Sequence, residues 1–487
     1  MSLDIKEMHK NPPYAMIAIL FFGAFISFLN NTLLNVALPS IMEEFSVAPA
    51  IVQWLTNGYM LVTGILVPAS AFFIQRFTNR AIFFSAMSLF TLGTALAAFS
   101  PTFGFLIAGR MIQASGSGLM MPLLMNVMLT AFPIERRGTA MGFFGLIMFA
   151  APAIGPTLSG YIVQNYSWRM LFEMILPFAI IVLILAYFKL KNITPTKDIK
   201  IDFTSLVFST IAFSTLLFGF STAGDKGWQD PLVYSTILIG IVVLITFTLR
   251  QLRMDEPMLQ FRIFQFPMFA LSAAIMVVVS ASMFSGMLLI PIYVQMVRDI
   301  TPFHAGLLML PGAIVMSIMS PITGRLFDKY GGRVLAIIGL IITVLTTYLL
   351  SQLSLTSGYY YIMFIFTLRM MGMSLVMMPV MTNGLNQLPM SQNPHGTAMN
   401  NTLQQISGAI GSAVLITVMN GRMESSAHSL IDSAETYTEA EIVQISMLNG
   451  VNFAFFISTL IAAVALVLAF FIRRVDPNES KLNEGKI

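Results

Sequence analysis

Uncharged apolar runs recur along this chain, and each is long enough to cross a hydrocarbon layer, a distance that takes about 20 helical residues. Six of them, near 15–37, 51–74, 81–99, 103–130, 139–163 and 169–188, make a first block. Two more follow near 203–222 and 232–249, and then six near 269–296, 303–324, 334–352, 359–384, 397–419 and 450–472. With 56% of residues hydrophobic and 10% charged, against about 25% charged in soluble domains, no water-soluble fold can hide the apolar surface. The expectation is an all-α polytopic membrane protein whose fourteen spans are ordered six, two, six. The polar start, MSLDIKEMHKNPPY, leads into the first span without a small-residue cleavage site, so that span is expected to stay as a helix.

Lysine and arginine set the orientation, because they are held on the cytoplasmic side more reliably than acids are held outside. An even number of spans puts both termini on one side. The cytoplasmic side then collects 20 of the 26 basic residues, including Arg76, Arg80, Arg136, Arg137, Lys189, Arg250, Arg325, Lys329 and Arg333. Arg169, Lys226, Arg298 and Arg422 fall outside or at the outer edge, and Arg110 and Arg369 lie within spans. The net charge of +4 therefore marks a membrane face, and no nucleic-acid partner is expected. Cysteine is absent, which excludes disulfide scaffolds, thiolate metal sites and cysteine nucleophiles. The acidic stretch near 421–449 reads as an outer loop capping the last helix pair.

An internal repeat runs at a nearly constant offset. GTAM at Gly138–Met141 returns at Gly396–Met399, 258 residues on, and Arg110 returns as Arg369 after 259. The loop AFFIQRFTNR, 71–80, precedes GRLFDKYGGR, 324–333, by 253 residues. Two duplicated six-helix halves are a common plan for secondary transporters, with the substrate site near the midplane between them. The expected division is residues 1–190 as the first half, 191–262 as a linker carrying two extra spans outside the functional core, and 263–487 as the second half.

The loop Gly324, Arg325, Leu326, Phe327, Asp328, Lys329, Tyr330, Gly331, Gly332, Arg333 combines a glycine turn with a carboxylate and basic groups, which can lock adjacent helix ends and release them. It resembles the gating loop of the major facilitator superfamily. The earlier copy keeps Arg76 and Arg80 but has Gln75 where that family has Asp, so a weaker first lock is expected. RMIQASGSGLMMP, from Arg110, places a costly charge inside a span. GLIMFAAPAIGPTLSG carries Gly145, Pro152, Gly155, Pro156 and Gly160, small residues for close helix approach and prolines for bending. It resembles the antiporter motif of drug exporters. FLNNTLLNVALPSI (28–41), WRMLFE (168–173) and HGTAMNNTLQQISGAIG (395–411) are similar to the fourteen-span drug:proton antiporter family, bacterial multidrug exporters of the lincomycin-resistance kind.

That resemblance covers essentially the whole chain. It implies the major facilitator fold, a multi-pass protein of the bacterial plasma membrane with both termini cytoplasmic, and export of amphipathic or lipophilic compounds in exchange for protons. It also implies a coupling role for Arg110 and Gln113. Family members carry an Asp in the first span where this chain has Asn30, and Glu173 is the one acid clearly within a predicted span. Glu173 is therefore the candidate proton-linked carboxylate, burial being expected to raise its pKa; the alternative is a helix-end ion pair with Arg169. The polar residues Asn30, Asn31, Asn35, Asn126, Asn400, Asn401 and Gln404 are expected to line the substrate pocket, with methionines as adaptable walls. The paucity of acids disfavours dicationic substrates. No phosphate-binding glycine loop followed by Lys and Ser or Thr occurs, and His9, His304, His395 and His428 are dispersed, so an ATP-driven pump or an enzyme is not expected. No cofactor or metal is expected, and the chain is read as a monomer. A proton-independent facilitator, or a lipid or metabolite exporter on the same fold, stays open as the alternative.

Overall fold

Fourteen helices among the described residues are long and apolar enough to cross a membrane, one for each run read from the sequence. The structure is a computed structural model that describes residues 12–194, 196–198, 202–432 and 437–475; the side chains of Asn35 and Pro156 also lie outside the described set. The first six spans are α1 (Tyr14–Phe45), α2 (Trp54–Arg76), α3 (Asn79–Ala98), α4 (Phe103–Ala131), α5 (Arg137–Asn165) and α6, which is interrupted at Met174 between Met170–Glu173 and Ile175–Lys189. The inserted pair is α7 (Phe203–Lys226) and α8 (Pro231–Arg253). The last six are α9 (Pro267–Ile292), α10 (Pro302–Tyr330), α11 (Gly332–Leu350), α12 (Tyr359–Asn386), α13 (Asn393–Ile431) and α14 (Glu439–Ala469). Polar punctuation starts many of them: side-chain oxygens of Thr78, Thr102, Asp202, Asp230, Thr301 and Thr438 accept from the first helical turn, satisfying donors that lipid could not.

The two sets of six meet along two seams. In one, α5 lies against α10, and small residues set the distance: a Cβ on Gly324 would sit 2.2 Å from the Gly138 carbonyl oxygen, and one on Gly145 would sit 2.1 Å from Ser320 Oγ. Only bare backbone fits there, which is how two helices pack closely in a solvent as apolar as their own side chains. In the other seam α2 meets α13, and α7 packs against both. Trp54 of α2 stacks on Phe218 of α7 at 6.1 Å, and Trp228 after α7 donates to Thr417 Oγ1 of α13 at 2.5 Å. The inserted pair thus divides: α8 exposes Leu238, Ile239, Val242 and Ile245, while α7 lies in the seam instead of outside the core.

Three boundaries differ from expectation for one reason. The apolar run of the first span ends near 37, yet α1 continues through Pro39 to Phe45; the stretch read as an outer loop, 421–449, is mostly the ends of α13 and α14. Helix propensity and capping continue where hydropathy stops. Thr438 and Glu441 form a capping box, the Thr438 hydroxyl receiving the Glu441 N–H at 3.3 Å and Glu441 Oε2 receiving the Thr438 N–H at 2.8 Å.

Candidate functional site

Arg110 is fully buried in α4, and every acceptor around its guanidinium is neutral. Nη1 donates to Asn30 Oδ1 at 3.0 Å and to Gln113 Oε1 at 2.5 Å, Nη2 to Asn31 Oδ1 at 3.3 Å, and Nε to the Leu55 carbonyl at 3.3 Å. The guanidinium carbon lies 4.2 Å from the centroid of the Tyr59 ring, whose face carries the partial negative charge that a cation prefers. Gln113 is held in turn by Thr94 Oγ1 at 2.8 Å. Three spans of the first half, α1, α2 and α4, thus converge on one cation. Its counterpart in the second half, Arg369, is equally buried and donates to Thr347 Oγ1 at 3.0 Å, the Ser282 carbonyl at 2.6 Å and Ser285 Oγ at 3.0 Å. Among the described residues no carboxylate meets either arginine, Asn30 Nδ2 has no partner beside Arg110, and Arg369 Nη1 has none either.

At the end of the bundle that carries Arg76, Arg136, Arg325 and Arg333, here the basic end, direct bonds join the halves. Asp328 Oδ1 accepts from the Gly138 N–H at 2.8 Å, and Oδ2 from the Thr139 N–H at 2.8 Å and its hydroxyl at 2.6 Å. The carboxylate therefore caps the first turn of α5, where unsatisfied N–H groups and the helix dipole favour an anion. Beside it Arg137 Nη1 donates to Asn386 Oδ1 of α12 at 3.3 Å. In the second seam the Gln75 amide of α2 lies 2.9 Å from His395 Nε2 of α13. The two loops related by the 253-residue offset thus each reach the first turn of a GTAM-bearing helix in the opposite half. Both seams are thus bonded at the basic end.

The basic residues of these loops behave otherwise than a charge lock requires. Arg76 pairs with Asp198 in the segment after α6, and Arg80 donates through Nη2 to the Tyr187 carbonyl in the last turn of α6 at 3.0 Å. Arg325 and Arg333 are exposed. Gly331 holds φ at +80°, which ends α10 and lets Arg474 donate to the Asp328 carbonyl at 2.8 Å. The Asp328 carboxylate of this loop instead bonds across to the first half, through the Gly138 and Thr139 N–H groups and the Thr139 hydroxyl.

Glu173 requires a correction. It is exposed at the opposite end, at the edge of a shallow apolar hollow formed with Phe99, Leu176, Pro177, Ile180 and Ile181, so the burial expected of it is not there. Nor does it pair with Arg169, which instead donates to Glu44 Oε1 at 2.6 Å; the Trp168 indole donates to Glu44 Oε2 at 2.7 Å. The extension of α1 past its apolar run brings Glu44 into reach and takes that partner away.

The proposed pocket residues do not form one set. Asn30 and Asn31 serve Arg110, whereas Asn401 of α13 donates to the Thr397 carbonyl at 3.0 Å and approaches Met125 Sδ of α4 at 3.9 Å across the seam. Asn126 and Asn400 are buried. Gln404 is half-buried, with Nε2 3.7 Å from Met381 Sδ. Asn35 is outside the described side chains. Within the antiporter motif, Gly155 receives α1, since a Cβ there would lie 2.3 Å from Thr32 Oγ1. Gly160 has nothing within 4 Å of such an atom, and α5 runs unbroken through Pro152 and Pro156. Sequence reasoning missed Tyr59, Asn386 and His395. His395 carried a signal, since it stands directly before the second GTAM, at the position occupied by Arg137 before the first.

Comparison with known proteins agrees with this architecture. The profile of the Major Facilitator Superfamily matches residues 20–412. Among its relatives, an uncharacterized MFS-type transporter of Bacillus subtilis, YhcA, is 44% identical over 99% of this chain and 96% of its own length. The lincomycin resistance protein LmrB of the same organism is 42% identical over 96% and 97%. Among solved structures, the proton:xylose symporter XylE superposes with a TM-score of 0.65 at 13% identity, over 96% of this chain and 98% of that one, a likeness of fold. A chain of fourteen spanning helices with a buried arginine in each half and latches at one end belongs to the major facilitator superfamily, a family of membrane transporters and not of enzymes.

Proposed function

We propose that the chain is an exporter of small amphipathic compounds, antibiotics among them, in a bacterial plasma membrane, driven by exchange for protons. The observation that carries the export reading is the 42% identity to a lincomycin resistance protein over nearly the full length of both chains. In this reading the basic end is cytoplasmic, in keeping with the bias of Lys and Arg toward that side, and both termini lie there. Residues 1–190 and 263–487 rock against each other, and 191–262 joins them. Release of the Asp328 cap on α5 opens the cytoplasmic side, and its re-formation opens the outer side.

Arg110, with Gln113, Asn30 and Asn31, is the polar centre of the first half. A guanidinium bonded to amides in three helices changes their spacing when any one bond is traded, which links occupancy of the site to the tilt of α4. Substrate is met by Asn31, Asn126, Asn401 and Gln404 with methionine walls that repack around varied shapes. A second reading, a proton-independent facilitator or a lipid or metabolite exporter, is favoured by one observation: the group beside Arg110 is Asn30, which cannot carry a proton. Expression in an efflux-deficient bacterium tests the export reading. Resistance to lincomycin or other amphipathic antibiotics that rises with the chain and vanishes with Arg110→Ala supports it; unchanged susceptibility across the panel opposes it.

A further inference from the structure

Arg110 and Arg369 put two guanidinium groups inside the spans, each 0% exposed. A guanidinium keeps its charge in proteins, and a buried charge is normally paired. Around these two no pairing charge is within reach. The helices α2, α3, α4, α9, α11 and α12 contain no acidic residue at all. On α1 the nearest acid, Glu43, stands 13 residues after Asn30, about 20 Å along the helix. On α14 Glu441 stands 17 residues before Ser458, the serine that donates to Ser285 Oγ beside Arg369, about 26 Å along the helix.

The groups left over at both centres are donors. Asn30 is 1% exposed, and its Oδ1 accepts from Arg110, which makes Nδ2 the free end of the amide; among the described residues that nitrogen has no partner. Arg369 Nη1 has none either. Both centres therefore have N–H groups to give and no negative charge to receive them. Asn31 is the half-buried member of the Arg110 shell, and its bond to Nη2, at 3.3 Å, is a long one. A carboxylate offers two oxygens to such donors, in bonds shorter and about twice as strong as those of a neutral amide.

We infer that the exported amphiphile carries a single negative charge, a carboxylate or an acid group of similar shape, and that this group takes the place of the Asn31 oxygen on Arg110. Asn30 sets the preference. An Asp at that position would occupy the guanidinium permanently, whereas the neutral amide leaves its charge for the ligand. Arg369, bonded to two hydroxyls and a carbonyl, adds to the same positive interior, so a ligand with a fixed cation is disfavoured. The inference rests on the export reading above and names its substrate class.

Three probes with one apolar body separate charge from shape: pyrenebutanoate, pyrenebutanamide and pyrenebutyl-trimethylammonium. Equilibrium dialysis against the purified full chain in nanodiscs of zwitterionic lipid, with empty nanodiscs as the blank, gives a Kd for each near neutral pH, where a carboxylic acid is ionised. The butanoate is expected to bind at least about tenfold more tightly than the ammonium, with the amide between them. Asn30→Asp, or Asn31→Asp where the first variant folds poorly, is expected to lower that advantage at least about tenfold. Binding of the ammonium as tight as that of the butanoate, binding of none of the three, or a butanoate preference unchanged in a folded variant overturns the assignment. Dialysis needs no flux, so a preference that depends on Asn30 without export would leave the site standing and remove the exporter reading. Export with the ammonium preferred would do the reverse.

Discussion

Asp328 of the second half caps α5 of the first, taking two backbone N–H groups, of Gly138 and Thr139, each at 2.8 Å. One carboxylate thereby joins halves that glycine and serine surfaces and the Arg137–Asn386 bond also hold at that seam. Losing a cap of this kind costs about 0.5–2 kcal/mol, enough to move a two-state equilibrium by up to roughly 30-fold.

Asp328→Ala is therefore expected to open the basic end. Ser320, buried in the seam against Gly145, becomes the reporter as Ser320→Cys in a chain without native cysteine. Maleimide labelling of Ser320→Cys should speed up about 2- to 30-fold when Asp328→Ala is added, by the cap energy above. Equal labelling rates would show that the cap does not hold the seam. Gly138→Ala should act in the same direction, because its Cβ would come 2.4 Å from Asp328 Oδ1.

Arg110→Lys tests whether the centre of the first half needs a fork or only a charge. A lysine has one nitrogen and cannot reach Asn30, Gln113, Asn31 and Leu55 together. Flux should fall at least about tenfold, the effect of losing roughly 1.4 kcal/mol of transition-state stabilisation, while expression and helix content hold. Glu173→Gln, at an exposed position, should stay within about twofold of the parent on the same assay. A collapse of gradient-driven flux in Glu173→Gln alone would restore the carboxylate to the mechanism.

At the opposite end, Glu44 links α1 to Trp168 and Arg169. Burial pushes its carboxyl up, but the hydrogen bonds from Arg169 and Trp168 and the charge of Arg169 outweigh that and hold it below the usual carboxylate value. Because the folded-state value is depressed, the contribution to stability is fully present above the unfolded value, near 4.3, and is lost as pH falls through the folded one. The Glu44 side chain is 41% exposed, so solvent screening limits the pair to about 1 kcal/mol or less. Thermal unfolding of the purified protein from pH 7 to 3.5 should show Glu44→Gln less stable at pH 7 and the difference shrinking toward the acid end. A constant difference across that range would assign the effect to packing.

Hydropathy made all fourteen spans legible, because the bilayer demands the same long apolar run wherever a helix crosses it. The same signal is silent outside the membrane, so the ends of α1, α13 and α14 were missed. The Arg110 centre was half legible: a charge in a span announces itself, and Asn30 and Asn31 stand in the first-span motif and Gln113 in the fourth-span one, but the ring of Tyr59 beneath it had no pattern to mark it. The Gln75 and His395 contact joins residues 320 positions apart, and neither belongs to the residue types that hydropathy flags. Glu173 misled because it lies within an apolar run, while the sequence does not say which side of α6 faces the bundle.

Proton exchange is the central claim, and flux in proteoliposomes tests it most directly. Purified protein is reconstituted without ATP, a pH gradient is imposed, and the movement of lincomycin and a panel of neutral, cationic and anionic amphiphiles is followed with and without a protonophore. Uphill movement that requires the gradient, and stops when the protonophore collapses it, is the predicted result. Flux that runs only downhill and at the same rate with or without the gradient would contradict the account and establish a facilitator on this fold.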